Sequence, residues 1–373
     1  MRVQTSGGLR WESMLAGIRA QPGWLAHGAR DALEEARAAV HGPVPPAVYL
    51  VGCGDSHYAG VAARHAFQSW SGIPTQALPS LQFSRYDVEH AEPDAWAICV
   101  SNSGRVARTL ECAVAAKRHR LRPIGVTYSG GSPLADRADA VVTYHYDDPG
   151  FAPGTLSYLA SLAVLLALAL RAREIAGAAT AADVAERLRL LEAQAVAAAE
   201  TIELAQAAAE QLAKETDLDV PIRIVGGGPS FGTALYGRAK LIESARVPAQ
   251  ACELEEWAHE EYFCTGPGTL TIVVAPAGAS ADRAVEQLQA IRDVGGTAAV
   301  VCPSSSAAVD DVVALPVAGD PPELLSPLTF CIPLQLFAYH LASTRGLTML
   351  GFDDDRRREV NFRQIFDSRI AGE

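Results

Sequence analysis

In the segment AKLIESARVPAQACELEEWAHEE, Lys240 and Glu243 stand three residues apart, a spacing that puts both on one face of a helix. Sixteen residues after Glu243 comes His259, inside the acidic run Glu255-Glu256-Trp257-Ala258-His259-Glu260-Glu261. A carboxylate that lifts a proton from a carbon beside a carbonyl, a lysine that offsets the charge formed, and a histidine that moves protons between oxygens together make an enolising site. The same residues also read as a surface ion pair followed by a solvated acidic helix, and spacing alone does not choose between the two.

A second set of candidates is polar. Cys53-Gly54-Asp55-Ser56 and Ser101-Asn102-Ser103-Gly104 each follow an apolar run, the pattern of a buried strand that stops at a turn. Hydroxyls and amides there can hold a phosphate or a polyol, because the first four N–H groups of a helix lack intrahelical partners. The alternative is that Ser56 and Ser103 only cap helices. Neither loop carries GxGxxG with a suitably spaced acid, nor GxxxxGK[ST]. The run Gly226-Gly227-Gly228, with Ser230 and Gly232, is a weak nucleotide signal. Dinucleotide and ATP chemistry are therefore set aside, and no cofactor is expected.

The elements that must position these residues follow a simple scheme. From Ala47 the chain alternates strand and helix: AVYLVG, a helix near 57–70, TQAL, AWAICVS, a helix near 106–120, PIGVTYS and AVVTYH. Continuous apolar strands separated by helices imply an α/β fold with a parallel, doubly wound sheet, whose ligands bind beyond the carboxyl ends of the strands. After Ala-rich helices over 155–217, broken near Gly177, the scheme restarts. PIRIVGGGPSFG repeats the design of AVYLVGCGDSHYAG, and TLTIVVAPAG that of AWAICVSNSG. Two flavodoxin-like parallel-sheet domains in tandem are expected. The divisions read as a helical lead-in over 1–46, a first domain over 47–176, linking helices over 177–219, a second domain over 220–345, and a C-terminal tail over 346–373. Within the lead-in, two helical patterns meet at Gln21-Pro22-Gly23.

Composition removes several classes. A net charge of -12 leaves no basic surface for nucleic acid beyond the local run Arg356 to Arg358. Seven cysteines without a CxxC pair read as reduced, mostly core residues rather than a zinc or disulfide framework. The apolar run from Leu156 to Leu170 is shorter than the ~20 residues a bilayer needs and is interrupted by Ser157 and Ser161, so it reads as a buried helix. The opening MRVQTSGGLRW has no apolar core to follow its charge. A cytoplasmic protein with no membrane or nucleic-acid partner is expected.

Taken in order, CGDS, SNSG, the AKLIESARVPAQACELEEWAHEE segment and PLQLFAYHLA resemble the isomerase half of glucosamine-6-phosphate synthase and its relatives, built from two sugar isomerase (SIS) domains. The Gln21-Pro22 lead-in resembles that family's opening helix, and the likeness runs over roughly residues 12 to 370. It implies a cofactor-free aldose–ketose isomerase, or a relative that removes amines from phosphorylated amino sugars or Amadori compounds. It also implies that Ser56, Ser101, Asn102 and Ser103 bind the sugar phosphate, that Lys240 is a substrate lysine, and that Glu243 shuttles the proton. His259 would open the ring, contributed by the neighbouring subunit of a homodimer.

Departures from the family pattern bear on the substrate. The family loop SQSGET has Arg105 and Val106 here in place of glutamate and threonine, and Asp55 stands where the synthase has threonine. Losing a hydroxyl weakens a phosphate grip that a guanidinium could restore, whereas a nearby acid suits sugar hydroxyls better than a dianion. Ala152-Pro153-Gly154-Thr155 occupies the place of a Ser-Thr-Lys loop. The tail, which in the family carries an imine-forming lysine, has no lysine; Arg363 is the nearest candidate and stays protonated. No glutaminase half is expected. Two other readings stay open: a sensor or regulatory subunit that binds a sugar phosphate without turning it over, and an isomerase of an unphosphorylated or nucleoside-linked sugar.

Overall fold

Runs of buried apolar residues become strands, and the first strand of each sheet hands over to a helix through a glycine-bearing turn. The computed structural model describes residues 11–306 and 310–372. The opening stretch over 1–10, read above as lacking a secretory leader, lies outside them together with the first residues of the lead-in.

The first sheet contains β1 (Val48–Gly52), β2 (Thr75–Pro79), β3 (Trp96–Val100), β4 (Arg122–Thr127) and β5 (Ala140–Thr143), in the order β2-β1-β3-β4-β5. The second contains β6 (Ile222–Gly226), β7 (Ala249–Glu253), β8 (Leu270–Val274), β9 (Thr297–Pro303) and β10 (Val312–Val317), in the order β7-β6-β8-β9-β10. Every pairing is parallel, and both orders read 2-1-3-4-5 along the chain. This is the doubly wound arrangement expected, present twice. β7 and β10 were not read from the sequence: β7 is AQACE, with no apolar run, and β10, VVALPV, carries Pro316, which counts against a strand.

The chain divides into two units, each discontinuous in sequence. The first-sheet unit comprises residues 23–147, 157–195 and the chain from Val360 onward. The second-sheet unit comprises the chain up to Pro22, 148–156 and 196–359. In the first, Tyr49, Val51, Ala97, Cys99 and Leu110 belong to one buried cluster; in the second, Val225, Val273, Leu254, Trp257 and Leu288 do.

Two expectations about helices are corrected. The patterns on either side of Gln21-Pro22-Gly23 form one helix, Trp11–Ala39, with Pro22 inside it. An interior proline removes a hydrogen bond and costs about 3 kcal/mol. Met14, Ile18 and Leu25 are fully buried along the same helix, and at roughly 1.5–3 kcal/mol each their burial offsets that cost. The second correction concerns the apolar run from Leu156. Its helix extends to Ile175, 20 residues, so it is long enough to cross a bilayer, and the length argument fails. Burial accounts for its composition instead: 83% of its most apolar window lies inside the protein.

Candidate active site

The first-sheet unit builds its turn on glycine. Gly54 has φ 54° and ψ -128°, a conformation open to glycine, and lets the helix Asp55–Ser71 start at once. Gly52 lies so close to that helix that a Cβ on it would stand 2.8 Å from the Ser56 carbonyl carbon. On the neighbouring strand Val100 pairs with Gly52, so Ser101–Gly104 leaves the sheet beside Cys53–Ser56. Cys53 Sγ lies 4.0 Å from Thr109 Oγ1 on the helix Ala107–Arg118. The chain winds one way from β1 and the other way from β3, which makes this end of the sheet a topological switch point, where such folds bind ligands.

The hydroxyls at this end are not helix caps. The two N-cap positions are Gly54 and Val106, and neither makes a side-chain cap bond. Ser101 is 1% exposed, and its Oγ has no hydrogen-bond partner among the described residues. Ser103 is exposed, and its Oγ accepts the Arg105 N–H at 3.3 Å. A buried hydroxyl left unbonded costs about 1–3 kcal/mol, so Ser101 is a place where stability has been given up.

Asn102 is held differently. Its Oδ1 accepts from the hydroxyls of Tyr144 at 3.1 Å and Tyr146 at 3.0 Å, and Tyr144 Oη lies 2.8 Å from Ser161 Oγ. Burial pushes the Tyr144 phenol well above its ordinary range, which keeps it a donor. Asn102 therefore fixes the loop from behind. Asp55 opens its helix, where the helix dipole favours a negative charge, and this gives it a structural reason to be acidic. His57, next to Ser56, is driven down to about 4 by burial, against a hydrogen bond with the Leu78 backbone.

Arg105 is exposed and lies 5.3 Å over the ring of Phe366, on the tail helix Asp355–Phe366. Arg363 is exposed on the same helix. Beyond it, the Ala371 N–H donates to the buried Glu111 carboxylate at 2.8 Å, and Arg85, Ser84 and Arg108 donate to the same group. Burial works to raise the Glu111 carboxyl, but these donors prevail and hold it at about 2.

The second-sheet unit repeats the turn. Gly228 has φ 53° and ψ -128°, the helix Pro229–Ala245 follows directly, and a Cβ on Gly226 would stand 2.7 Å from the Ser230 carbonyl carbon. Here the adjoining loop is filled from within. Glu323 sits against Gly278, leaving no room for a Cβ there, and its Oε2 accepts the Ala279 N–H at 3.2 Å.

On that helix Lys240 is fully buried, and its Nζ donates to Glu243 Oε2 at 2.5 Å. The Glu243 side chain is 32% exposed, so the carboxylate is the member of the pair that reaches solvent. Lys240 Nζ also lies 5.1 Å over the ring of Tyr236. The structure thus joins Lys240 and Glu243 as their spacing implied, but inside the protein rather than as a surface ion pair. His259 stands apart. It ends the short helix Glu256–His259 with its side chain 67% exposed, and its Nε2 lies 3.5 Å from Glu255 Oε1. Tyr262 and Phe263 nearby are also exposed, Phe263 at 78%.

Sequence reasoning missed Tyr236, Gln335, Gln21 and Glu323. Tyr236 precedes Lys240 by four residues, a helical-neighbour spacing that was available to be read. Gln21 and Gln335 are single amides within apolar stretches, a weaker signal, and nothing local marked Glu323. Among the described residues no group of three or more His, Cys, Asp or Glu is placed to hold a metal ion. All seven cysteines are free; Cys264 is exposed rather than in a core.

The fold is two parallel α/β units in tandem with matching turns. Residues 45–171 match the SIS domain family directly. Over most of its length the chain resembles the isomerase half of glucosamine-6-phosphate synthase in sequence and in fold. It is 26% identical over 317 residues to glutamine–fructose-6-phosphate aminotransferase (isomerizing) of Rhizobium meliloti, a match covering 84% of this chain and 51% of that protein. The chain thus spans about half the length of that curated relative. Among solved structures, the C-terminal domain of glucosamine-fructose-6-phosphate aminotransferase from Francisella tularensis superposes with a TM-score of 0.81 at 19% identity, covering 93% of this chain and 99% of that one. Glucosamine-6-phosphate deaminase from Thermotoga maritima gives 0.72 at 21% identity, covering 90% and 96%.

Proposed function

We propose that the protein is a sugar-phosphate isomerase acting at C1 and C2 of an amino sugar or a related aldose or ketose, with deamination or deglycation inside the same chemistry. The observation that carries this reading is the Lys240–Glu243 pair, a buried ammonium bonded at 2.5 Å to a carboxylate that reaches solvent, on the helix that follows the second glycine turn. Glu243 moves the proton between C1 and C2. The turn bearing Ser56, Ser101 and Ser103 takes the phosphate or polyol end, and Arg105 adds a cation there. His259 opens the ring from a second copy of the chain in a homodimer, a role that suits a histidine exposed beside Tyr262 and Phe263. The reading includes cytoplasmic residence and no cofactor.

The test is Glu243→Gln with hexose 6-phosphates and their 2-amino forms in deuterated buffer. Exchange of the C2 proton, followed by proton NMR, should fall by about 10²–10⁴-fold, the usual contribution of a general base. Unchanged exchange in a folded variant contradicts the assignment. One observation favours a sensor instead: residues 346–373 contain no lysine, so the imine-forming group of the related synthases has no counterpart there. Saturable binding of these ligands with no exchange in the unaltered protein would establish that reading.

A further inference from the structure

The sequence contains three lysines, Lys117, Lys214 and Lys240. The side chains of the first two are 44% and 54% exposed, whereas Lys240 is fully buried. A buried ammonium is tolerated when paired and well surrounded. Lys240 has Glu243 Oε2 at 2.5 Å and the face of Tyr236 at 5.1 Å, within the range of a cation–π contact. With no exposed surface of its own, Lys240 acts through Glu243.

Tyr236 is in turn fixed at its far end. Its hydroxyl donates to the Gly154 carbonyl at 2.8 Å and accepts from Gln335 Nε2 at 3.0 Å. Gln335 Oε1 accepts from Gln21 Nε2 at 2.6 Å. Gln21, Tyr236 and Gln335 are all fully buried, and all these groups belong to the second-sheet unit. The chain of bonds runs from the helix Trp11–Ala39 through the helix Pro327–Ser343 to the loop Ala152-Pro153-Gly154-Thr155. Buried polar chains of this kind are costly to interrupt, because each broken bond strands a desolvated partner. With its hydroxyl bonded on both sides, the tyrosine ring has one orientation to offer the ammonium.

We infer that Tyr236 is a positioning residue: it orients Lys240, and through Lys240 aims the Glu243 carboxylate, while Gln335 and Gln21 hold Tyr236 in place. As a statement about catalysis this rests on the isomerase reading; as a statement about Lys240 it does not.

The experiment uses the 373-residue chain labelled with ¹⁵N only at lysine, so that three ammonium signals report on three known environments. In the unaltered protein the Lys240 signal should be displaced by the Tyr236 ring current and exchange slowly with water. Tyr236→Leu should abolish the displacement. Tyr236→Phe and Gln335→Met, which keep the ring but cut the hydrogen-bond chain, should speed exchange at Lys240 by roughly tenfold, the equivalent of one lost hydrogen bond. Lys117 and Lys214 serve as folding controls, and if Tyr236→Leu does not fold the other two variants decide. A Lys240 signal unmoved in all folded variants overturns the inference and leaves the isomerase reading intact. Where C2 exchange is present, Tyr236→Phe should lower kcat roughly tenfold with KM changed less than about twofold. An unchanged kcat overturns the positioning role. Absence of exchange in the unaltered protein overturns the isomerase reading while the Lys240 signal still decides the geometry.

Discussion

The turns at Gly52–Ser56 and Gly226–Ser230 have the same backbone and different contents. Gly54 and Gly228 agree within a degree in φ and share ψ -128°. Beside the first turn, Ser101 keeps a buried hydroxyl with no partner among the described residues, and Ser103 is exposed. Beside the second, the Glu323 carboxylate lies on Gly278 and takes the Ala279 N–H. Both copies leave a buried hydroxyl without a partner among the described residues, Ser101 beside the first turn and Ser230 on the second; in the second copy Glu323 fills the adjoining loop, and the helix that follows carries the Lys240–Glu243 pair. The shape of the turn therefore does not decide its use. The side chains placed around it do.

If the two turns are the same object, the same substitution should fail in both. Gly226→Ala forces a Cβ to 2.7 Å from the Ser230 carbonyl carbon and closer still to its oxygen; Gly52→Ala forces one to 2.8 Å from Ser56. Each should cost about 1–3 kcal/mol in chemical denaturation, the range for overpacking, with Gly226→Ala the more severe. A silent substitution at either position would break the equivalence.

His57 separates the copies, since the second turn carries Phe231 in its place. Burial lowers His57 from 6.5 to about 4, so between those values the unfolded chain binds the proton that the folded chain refuses. Its contribution is intact above about pH 6.5 and is lost as the pH falls towards 4. His57→Phe should flatten that part of the pH–stability curve, measured by denaturation at steps from pH 7 to 4. A curve identical to that of the unaltered protein would show that His57 is already charged when folded.

The smallest of these effects sharpens the contrast. Glu323→Ala removes one acceptor from the Ala279 N–H and should cost only about 1 kcal/mol. Inorganic phosphate should then protect the Ala279 amide from hydrogen exchange in the variant and not in the unaltered protein. Equal protection in both would mean that Glu323 does not fill the loop.

Much of the fold was legible because buried parallel strands are long apolar runs and glycine turns punctuate them. The tandem repeat could be read from the turns VGCGDS and VGGGPS together with the matching runs AWAICVSNSG and TLTIVVAPAG. The Lys240–Glu243 contact was legible because helical spacing fixes it. Its burial was not, since Lys240 lies against Tyr236, which is itself held by Gln335 and Gln21 from distant segments. Asn102 shows the same limit. Its loop was read correctly as polar, but that its side-chain oxygen is already taken depends on Tyr144 and Tyr146 more than forty residues away. Pro22 misled because a local breaking signal was outweighed by the buried face on either side of it.

On this reading the turn at Gly52–Ser56, with Ser101–Gly104 beside it, takes the ligand. Hydrogen exchange of backbone amides, with and without a saturating hexose 6-phosphate, tests it in the unaltered protein and in Ser101→Ala. Protection should appear over Cys53–Ser56 and Ser101–Arg105 and be absent over Gly227–Ser230. Ser101→Ala should weaken binding about tenfold or more while raising stability by about 1–3 kcal/mol, because the buried hydroxyl it removes has no partner among the described residues. Protection confined to the second turn, or a Ser101→Ala variant that binds as tightly as the unaltered protein, would contradict the account.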